Sequence, residues 1–149
     1  MPSSRIAETY LRIILELEEE RVPPIRARIG ERTLASLPSV SQNIARLERD
    51  GLIETDANRR LRLTPGGRRM AVAVLRRQRL AELLLVSLIG LPHDQAHLES
   101  VEWGHVLTTA AERHIHQRLG HPGHTPCGLP VPGLSDLVGD GPARADQRL

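Results

Sequence analysis

The stretch HLESVEWGHVL carries two imidazoles at a spacing that can do chemistry. At about 100° per residue, His97, Val101, Gly104 and His105 share one helical face, within an arc of about 100°. Histidines so placed are ligands for a divalent transition metal. Val101 and Gly104, between them, offer no donor. A second set, His121, His124 and Cys127, reads His-x-x-His-x-x-Cys in a Pro- and Gly-rich stretch. That spacing suits Zn2+, an iron–sulfur cluster or haem, and Cys127 alone suits redox sensing. The competing readings are a core or interface role for His105 and ordinary loop residues for the second set. His114 and His116, at i and i+2, point to different helix faces and cannot chelate one ion together.

Composition narrows the classes of function. The chain has 149 residues, a net charge of +2, 40% hydrophobic residues and 1% aromatic ones. With Tyr10, Trp103 and no Phe, a core must come from Leu, Ile, Val and Ala, which suits packed helices. No apolar run reaches the roughly 18 residues that a membrane span needs. The opening MPSSRIAETY lacks the apolar stretch of a signal peptide. A single cysteine excludes an internal disulfide framework and fits a reducing cytoplasm. Residues 1–79 hold 16 Arg against 10 acidic residues, whereas residues 80–149 hold 4 against 8 and carry all seven histidines. The first half suits a polyanion; the second suits metal chemistry or subunit contacts. No paired carboxylates, nucleophile elbow or glycine-rich phosphate loop are present, so no catalytic residue is assigned and no enzyme is expected.

The elements that would position these residues follow from periodicity. Ile6, Tyr10, Ile13, Ile14 and Leu17 predict an amphipathic helix over about 4–20, broken by Val22-Pro23-Pro24. A short helix follows from Ile25 to about Thr33. After the Ser36-Leu37-Pro38 turn, a helix over 39–50 buries Val40, Ile44 and Leu47 and is capped by Gly51. Two alternating segments, 52–55 and 61–64, predict a β-hairpin. Thr64-Pro65 starts a long helix to about Ile89, stopped by Gly90 and Pro92, and a last helix spans roughly 94–119. The fold class is therefore mainly α: an N-terminal winged helix-turn-helix over 1–64, a helical domain over 65–137, and a tail at 138–149 expected to be disordered.

Only the second helix of such a pair enters a major groove. Here its start offers Ser36, Pro38, Ser39, Ser41, Gln42 and Asn43, small or amide side chains that approach bases and phosphates closely. Gln42 can bond an adenine edge bidentately, and Pro38 can touch a thymine methyl. Arg26, Arg28, Arg46, Arg49, Arg59 and Arg60 surround that element, the last two at the wing tip, where a backbone or minor-groove contact is expected. The bland alternative is a protein–protein module with a solvated arginine face.

PIRARI, VSQNIARLERDGL and LTPGGR, continuing through EWGHV to PCGLPVPGL, resemble the diphtheria toxin repressor family of iron- and manganese-dependent transcription regulators over residues 5–137. The resemblance implies a homodimer on operator DNA, with the helices after the wing forming both metal sites and dimer interface. It also implies DNA contacts from Arg26, Ser36, Pro38, Ser39, Ser41, Gln42, Arg46, Arg49 and Arg59. The metal positions depart from the family pattern. Its primary site corresponds to Thr9, Val101, Gly104 and His105, so a divalent Fe2+, Mn2+ or Zn2+ is held weakly there or not at all. Its ancillary site corresponds to Gln78, Glu82 and His97, which leaves Glu82, His97 and His105 as the candidate ligands. Longer family members add an SH3-like domain after a proline-rich linker, and the chain reads as ending inside that linker, as a natural short form or a truncation. The function expected is a sequence-specific repressor of metal homeostasis with altered or lost metal dependence. The alternatives are the same fold answering to haem, an iron–sulfur cluster, redox state or a small molecule, and a heterodimerising module without DNA binding.

Overall fold

The computed structural model describes residues 4–138; of the expected tail, all but Val138 lies outside the described residues. Two compact units, Met1–Val72 and Ala73–Leu149, divide the chain inside one helix. In the first unit, α1 (Arg5–Glu19) is capped by Ser4, whose hydroxyl accepts from the Ala7 N–H. Then come α2 (Arg26–Thr33) and α3 (Leu37–Arg49), joined through Leu34 at φ 56°. Leu11, Ile14, Leu17, Ile29, Val40, Ile44, Ile53 and Leu61 are fully or almost fully buried in one cluster. Burying each such side chain stabilises the unit by about 1.5–3 kcal/mol.

Asp50 ends α3, and Gly51 at φ 73° turns the chain, so that the Leu52 N–H reaches back to Leu47 O. The wing follows as antiparallel β1 (Ile53–Thr55) and β2 (Leu61–Leu63), in register Ile53↔Leu63 and Thr55↔Leu61. Thr64 closes it onto α4 (Pro65–Leu84): its hydroxyl accepts from Gly67 N–H and donates to Gly51 O, while its own N–H donates to Leu52 O. α4 begins where the sequence places the second domain, but Ala71, within its second turn, still belongs to the first core. Packing divides at 72/73, within α4.

In the second unit α4 continues into a π turn, Leu85–Ile89, ended by Gly90 at φ 86°. The single late helix expected over 94–119 is two: α5 (His93–Trp103) and α6 (Thr109–Arg118). Gly104 closes α5, and the Thr108 hydroxyl caps α6 by accepting from Ala111 N–H. The Pro/Gly-rich stretch after α6 is a strap rather than a free linker. Val131 and Leu137 are buried in a cluster with Leu80 and Leu83, and residues 134–137 form a 3-10 turn. Arg76, on α4, makes a buried pair with Glu112 of α6, 2.7 Å from Nε to Oε1, and also donates to Gly133 O of the strap.

Candidate functional site

Two sets of side chains have the geometry for function, one in each unit. In the first unit the N-terminal turn of α3 is open. Ser36, Leu37, Pro38, Ser39, Ser41 and Gln42 are exposed, and the Ser36 hydroxyl caps the helix by accepting from Ser39 N–H. A capped N-terminus with small side chains is a place for a phosphate. Arg46 and Arg49 follow on the exposed face of α3. Arg26 is half-buried, and its guanidinium meets Glu48, which also accepts from the Thr55 hydroxyl. Asn43 is half-buried, and its Nδ2 donates to Tyr10 Oη at 3.1 Å, tying α3 to α1. Leu37, 61% exposed beside Pro38, is a further apolar side chain at this turn that the sequence reading passed over.

At the wing tip, Asp56 organises the turn. Its Oδ1 accepts from the N–H groups of Asn58 and Arg60, and its Oδ2 from Arg62. The Arg60 N–H foremost holds its carboxyl below its ordinary value against an opposing effect of desolvation, with the Asn58 N–H and Arg62 adding to the lowering. Arg59 sits at φ 61°, a conformation that glycine adopts freely and arginine does not. Arg59 and Arg60 are both exposed, and with Arg46 and Arg49 they have no carboxylate partner among the described residues.

In the second unit Glu82, near the end of α4, is 4% exposed and accepts from two imidazoles. His93 Nε2 lies 2.9 Å from Oε1, and His97 Nδ1 lies 3.4 Å from Oε2. The expected Glu82–His97 proximity is therefore present. His105 does not join it: α5 ends at Trp103, so His105 falls in the following turn rather than on the shared helical face. The His121/His124/Cys127 set is not assembled either. His121 packs edge-on against His116 with ring centroids 5.1 Å apart, His124 bridges to Pro130, and Cys127 Sγ lies 2.6 Å from His93 Nε2. His114 bonds Ala110 O on its own helix. Glu82, His93 and Cys127 thus form a group whose ligand atoms all lie within 4.8 Å of one another. Neither His93 nor its pairing with Cys127 was readable, because 34 residues separate them without a periodic signal.

The late-helix residues of the primary metal position implied by the resemblance are poor in donors. Val101 and Gly104 supply no side-chain donor, and Gly104 is closed in. A Cβ there would lie 3.3 Å from both Gln78 Cβ and Val74 O, and Arg77 Nε already donates to Gly104 O at 2.7 Å. Gln78 itself is buried, with an Oε1 that has no hydrogen-bond partner.

Comparison with known proteins gives consistent matches. Residues 3–61 match the model of the iron dependent repressor N-terminal DNA binding domain, and residues 64–133 that of the iron dependent repressor metal binding and dimerisation domain. The chain is 53% identical over 135 residues to the iron-dependent repressor IdeR of Mycobacterium leprae, covering 91% of this chain and 58% of that protein. It is 49% identical over 130 residues to the diphtheria toxin repressor of Corynebacterium diphtheriae, covering 87% and 58%. A solved manganese-dependent transcriptional repressor in complex with manganese superposes with a TM-score of 0.79 at 32% identity, covering 87% of this chain and 59% of that one. The chain thus spans somewhat over half the length of these relatives.

Proposed function

Because this chain belongs to the iron-dependent repressor family, we propose that it is a dimeric, sequence-specific DNA-binding repressor, acting in the cytoplasm, whose metal dependence has been altered. One observation carries the reading: an exposed, capped N-terminal turn of α3 flanked by Arg46, Arg49, Arg59 and Arg60, whose charges no carboxylate neutralises among the described residues. With α3 in a major groove, Gln42 reads an adenine edge while Leu37 and Pro38 touch thymine methyls. Ser36, Ser39, Ser41 and the open end of α3 hold phosphates, and the wing arginines take the adjacent backbone or minor groove. Dimerisation is supported by apolar side chains left on the second unit: Leu88, Ile89, Leu98 and Val106 are each more than half exposed. A two-fold contact would bury them.

Coupling to metal cannot run through the primary position, which offers too few donors for Fe2+ or Mn2+. Haem, an iron–sulfur cluster or a small molecule has no comparable support, and no catalytic role is proposed. The test is fluorescence anisotropy on DNA from the protein's own upstream region, first with chelator and then with Fe2+, Mn2+, Zn2+ or Co2+. Binding that survives chelator and falls steeply with salt is expected. Binding that appears only with Fe2+ or Mn2+ would refute the altered dependence. Binding that is absent or insensitive to salt would refute the DNA reading and favour a heterodimerising module.

A further inference from the structure

We propose that Glu82, His93 and Cys127 form a thiolate-containing site for Zn2+ in the second unit, distinct in its donors from both metal positions that the family resemblance implies. Of the three, only Glu82 belongs to those positions; the imidazole and the thiol are contributed by residues outside them. The inference does not rest on the repressor reading, since it concerns a cluster remote in sequence from α3 and the wing.

Three segments converge on one point. Glu82 comes from α4, His93 is the first residue of α5, and Cys127 lies in the strap. The strap is held in shape before any ion arrives. The Thr125 N–H donates to Leu129 O, the Leu129 N–H to the Thr125 hydroxyl, and the Gly128 N–H to Thr125 O, closing a turn around Cys127. Arg79 then fixes the neighbouring Pro130 carbonyl at 2.7 Å. A ligand on so constrained a turn loses little freedom when it binds. With metal–ligand bonds of about 2.0–2.3 Å, tetrahedral donors stand roughly 3.3–3.6 Å apart. The observed spacings, 2.6 Å for Cys127–His93 and 2.9 Å for His93–Glu82, open to that range with movements of under about 1 Å in two exposed side chains.

Electrostatics point the same way. Glu82 is buried, and among the described residues its partners are imidazoles, with no arginine upon it. A buried carboxylate needs a cation. Its second oxygen accepts from His97, an arrangement that orients a ligating carboxylate. Three protein donors leave a fourth position to water, and the exposure of His93 and Cys127 gives the ion a path in. Thiolate and imidazole together favour Zn2+ over Mn2+, which prefers oxygen donors. On binding, the Cys127 thiol gives up its proton to solvent and His93 takes the tautomer with its proton on Nδ1, so that the sulfur and Nε2 each give a lone pair to the metal; no electron is transferred.

The test uses the whole chain, stripped with chelator, kept reduced with a phosphine and titrated with Co2+, then with Zn2+ against a chromophoric chelator. One equivalent of Co2+ should give a sulfur-to-metal charge-transfer band together with the intense visible bands of four-coordinate cobalt. Cys127→Ser should abolish the charge-transfer band and weaken Zn2+ by about a hundredfold or more, and His93→Ala should weaken it comparably. His105→Ala should change neither. Zinc-edge absorption should show one sulfur at about 2.3 Å. Weak octahedral Co2+ bands, no sulfur neighbour, or Zn2+ affinity unchanged in Cys127→Ser or His93→Ala would each overturn the proposal. Circular dichroism of both variants, whose altered side chains are exposed, verifies that the helices persist.

Discussion

Two adjacent glycines should respond to alanine with opposite signs. Gly67 is buried where α4 meets the turn that leads out of α3. A Cβ at that position would overlap the Leu52 carbonyl oxygen and lie 2.9 Å from its carbon. The obstacle is backbone, so no rotamer change relieves it. The same oxygen accepts from the Thr64 N–H at 3.1 Å, so displacing it also breaks the join between the wing and α4. Overpacking costs about 1–3 kcal/mol and the lost hydrogen bond about 0.5–1.5 kcal/mol, against a helix-propensity gain of up to about 1 kcal/mol, so Gly67→Ala should destabilise the first unit by roughly 1–3 kcal/mol. Gly66, one residue earlier, has nothing nearer than 3.7 Å, and that contact is the flexible end of Arg69. Gly66→Ala should therefore gain helix propensity and be neutral or stabilising by up to about 1 kcal/mol. Urea unfolding of both variants decides the matter. A loss under about 1 kcal/mol in Gly67→Ala, or equal losses in the two, would refute the close-approach argument. DNA affinity gives a second readout: Gly67→Ala should weaken it by displacing the wing, whereas Gly66→Ala should not.

Other expectations rest on single features. Arg59→Gly should raise stability by about 1 kcal/mol by relieving a left-handed backbone, yet weaken DNA binding and lower the salt slope by about one, measured by urea unfolding and anisotropy. Glu112→Ala leaves the buried Arg76 guanidinium with only the exposed Asp136 carboxylate and the Gly133 carbonyl as partners and should cost about 1.5–3 kcal/mol, most of it recovered in the double variant Arg76→Met/Glu112→Leu; a single-variant loss under about 1 kcal/mol would show the pair to be dispensable. Because the Asp56 carboxyl titrates below its ordinary value in the folded wing, its contribution is complete above the ordinary aspartate range and drains away as pH falls through the lowered one. The pH dependence of wild-type stability should therefore exceed that of Asp56→Asn in acid and match it near neutrality. Gln78→Met removes a buried oxygen without a partner and should stabilise the second unit by about 1 kcal/mol in thermal unfolding.

The first unit was legible because its signals are local. Helical spacing of Ile13, Ile14 and Leu17, the proline at the start of α3, Gly51 after it and the alternation of the wing each name one element, and the structure has each within a residue or two. The bond from Asn43 to Tyr10 was not legible, because local spacing in α3 does not say which residue of α1 meets its amide. The late helix was read as continuous although Gly104 and Thr108 spell a stop and a start; the apolar residues on either side masked the break. The cluster around Glu82 divides similarly. Glu82 and His97 share the packing of α4 against the helix that follows, which periodicity can suggest. The partner of Cys127 cannot be suggested that way, since local spacing pointed to His121 and His124 while the folded strap delivered the thiol to His93.

The strap is chemically asymmetric. Pro122, Pro126, Pro130 and Pro132 remove four N–H groups but leave their carbonyls, so the segment carries a surplus of acceptors that it cannot satisfy within itself. The helices answer with guanidinium donors that carry no competing acceptor, Arg76 to Gly133 O, Arg79 to Pro130 O and Arg113 to Leu137 O, and with the His116 imidazole on Pro122 O. The fit is one of hydrogen-bond valence, main-chain oxygen against guanidinium. Side chains at the solvent-facing positions of the strap are thereby free to drift without loosening it, so a thiol could arise at residue 127 on a scaffold that was already rigid.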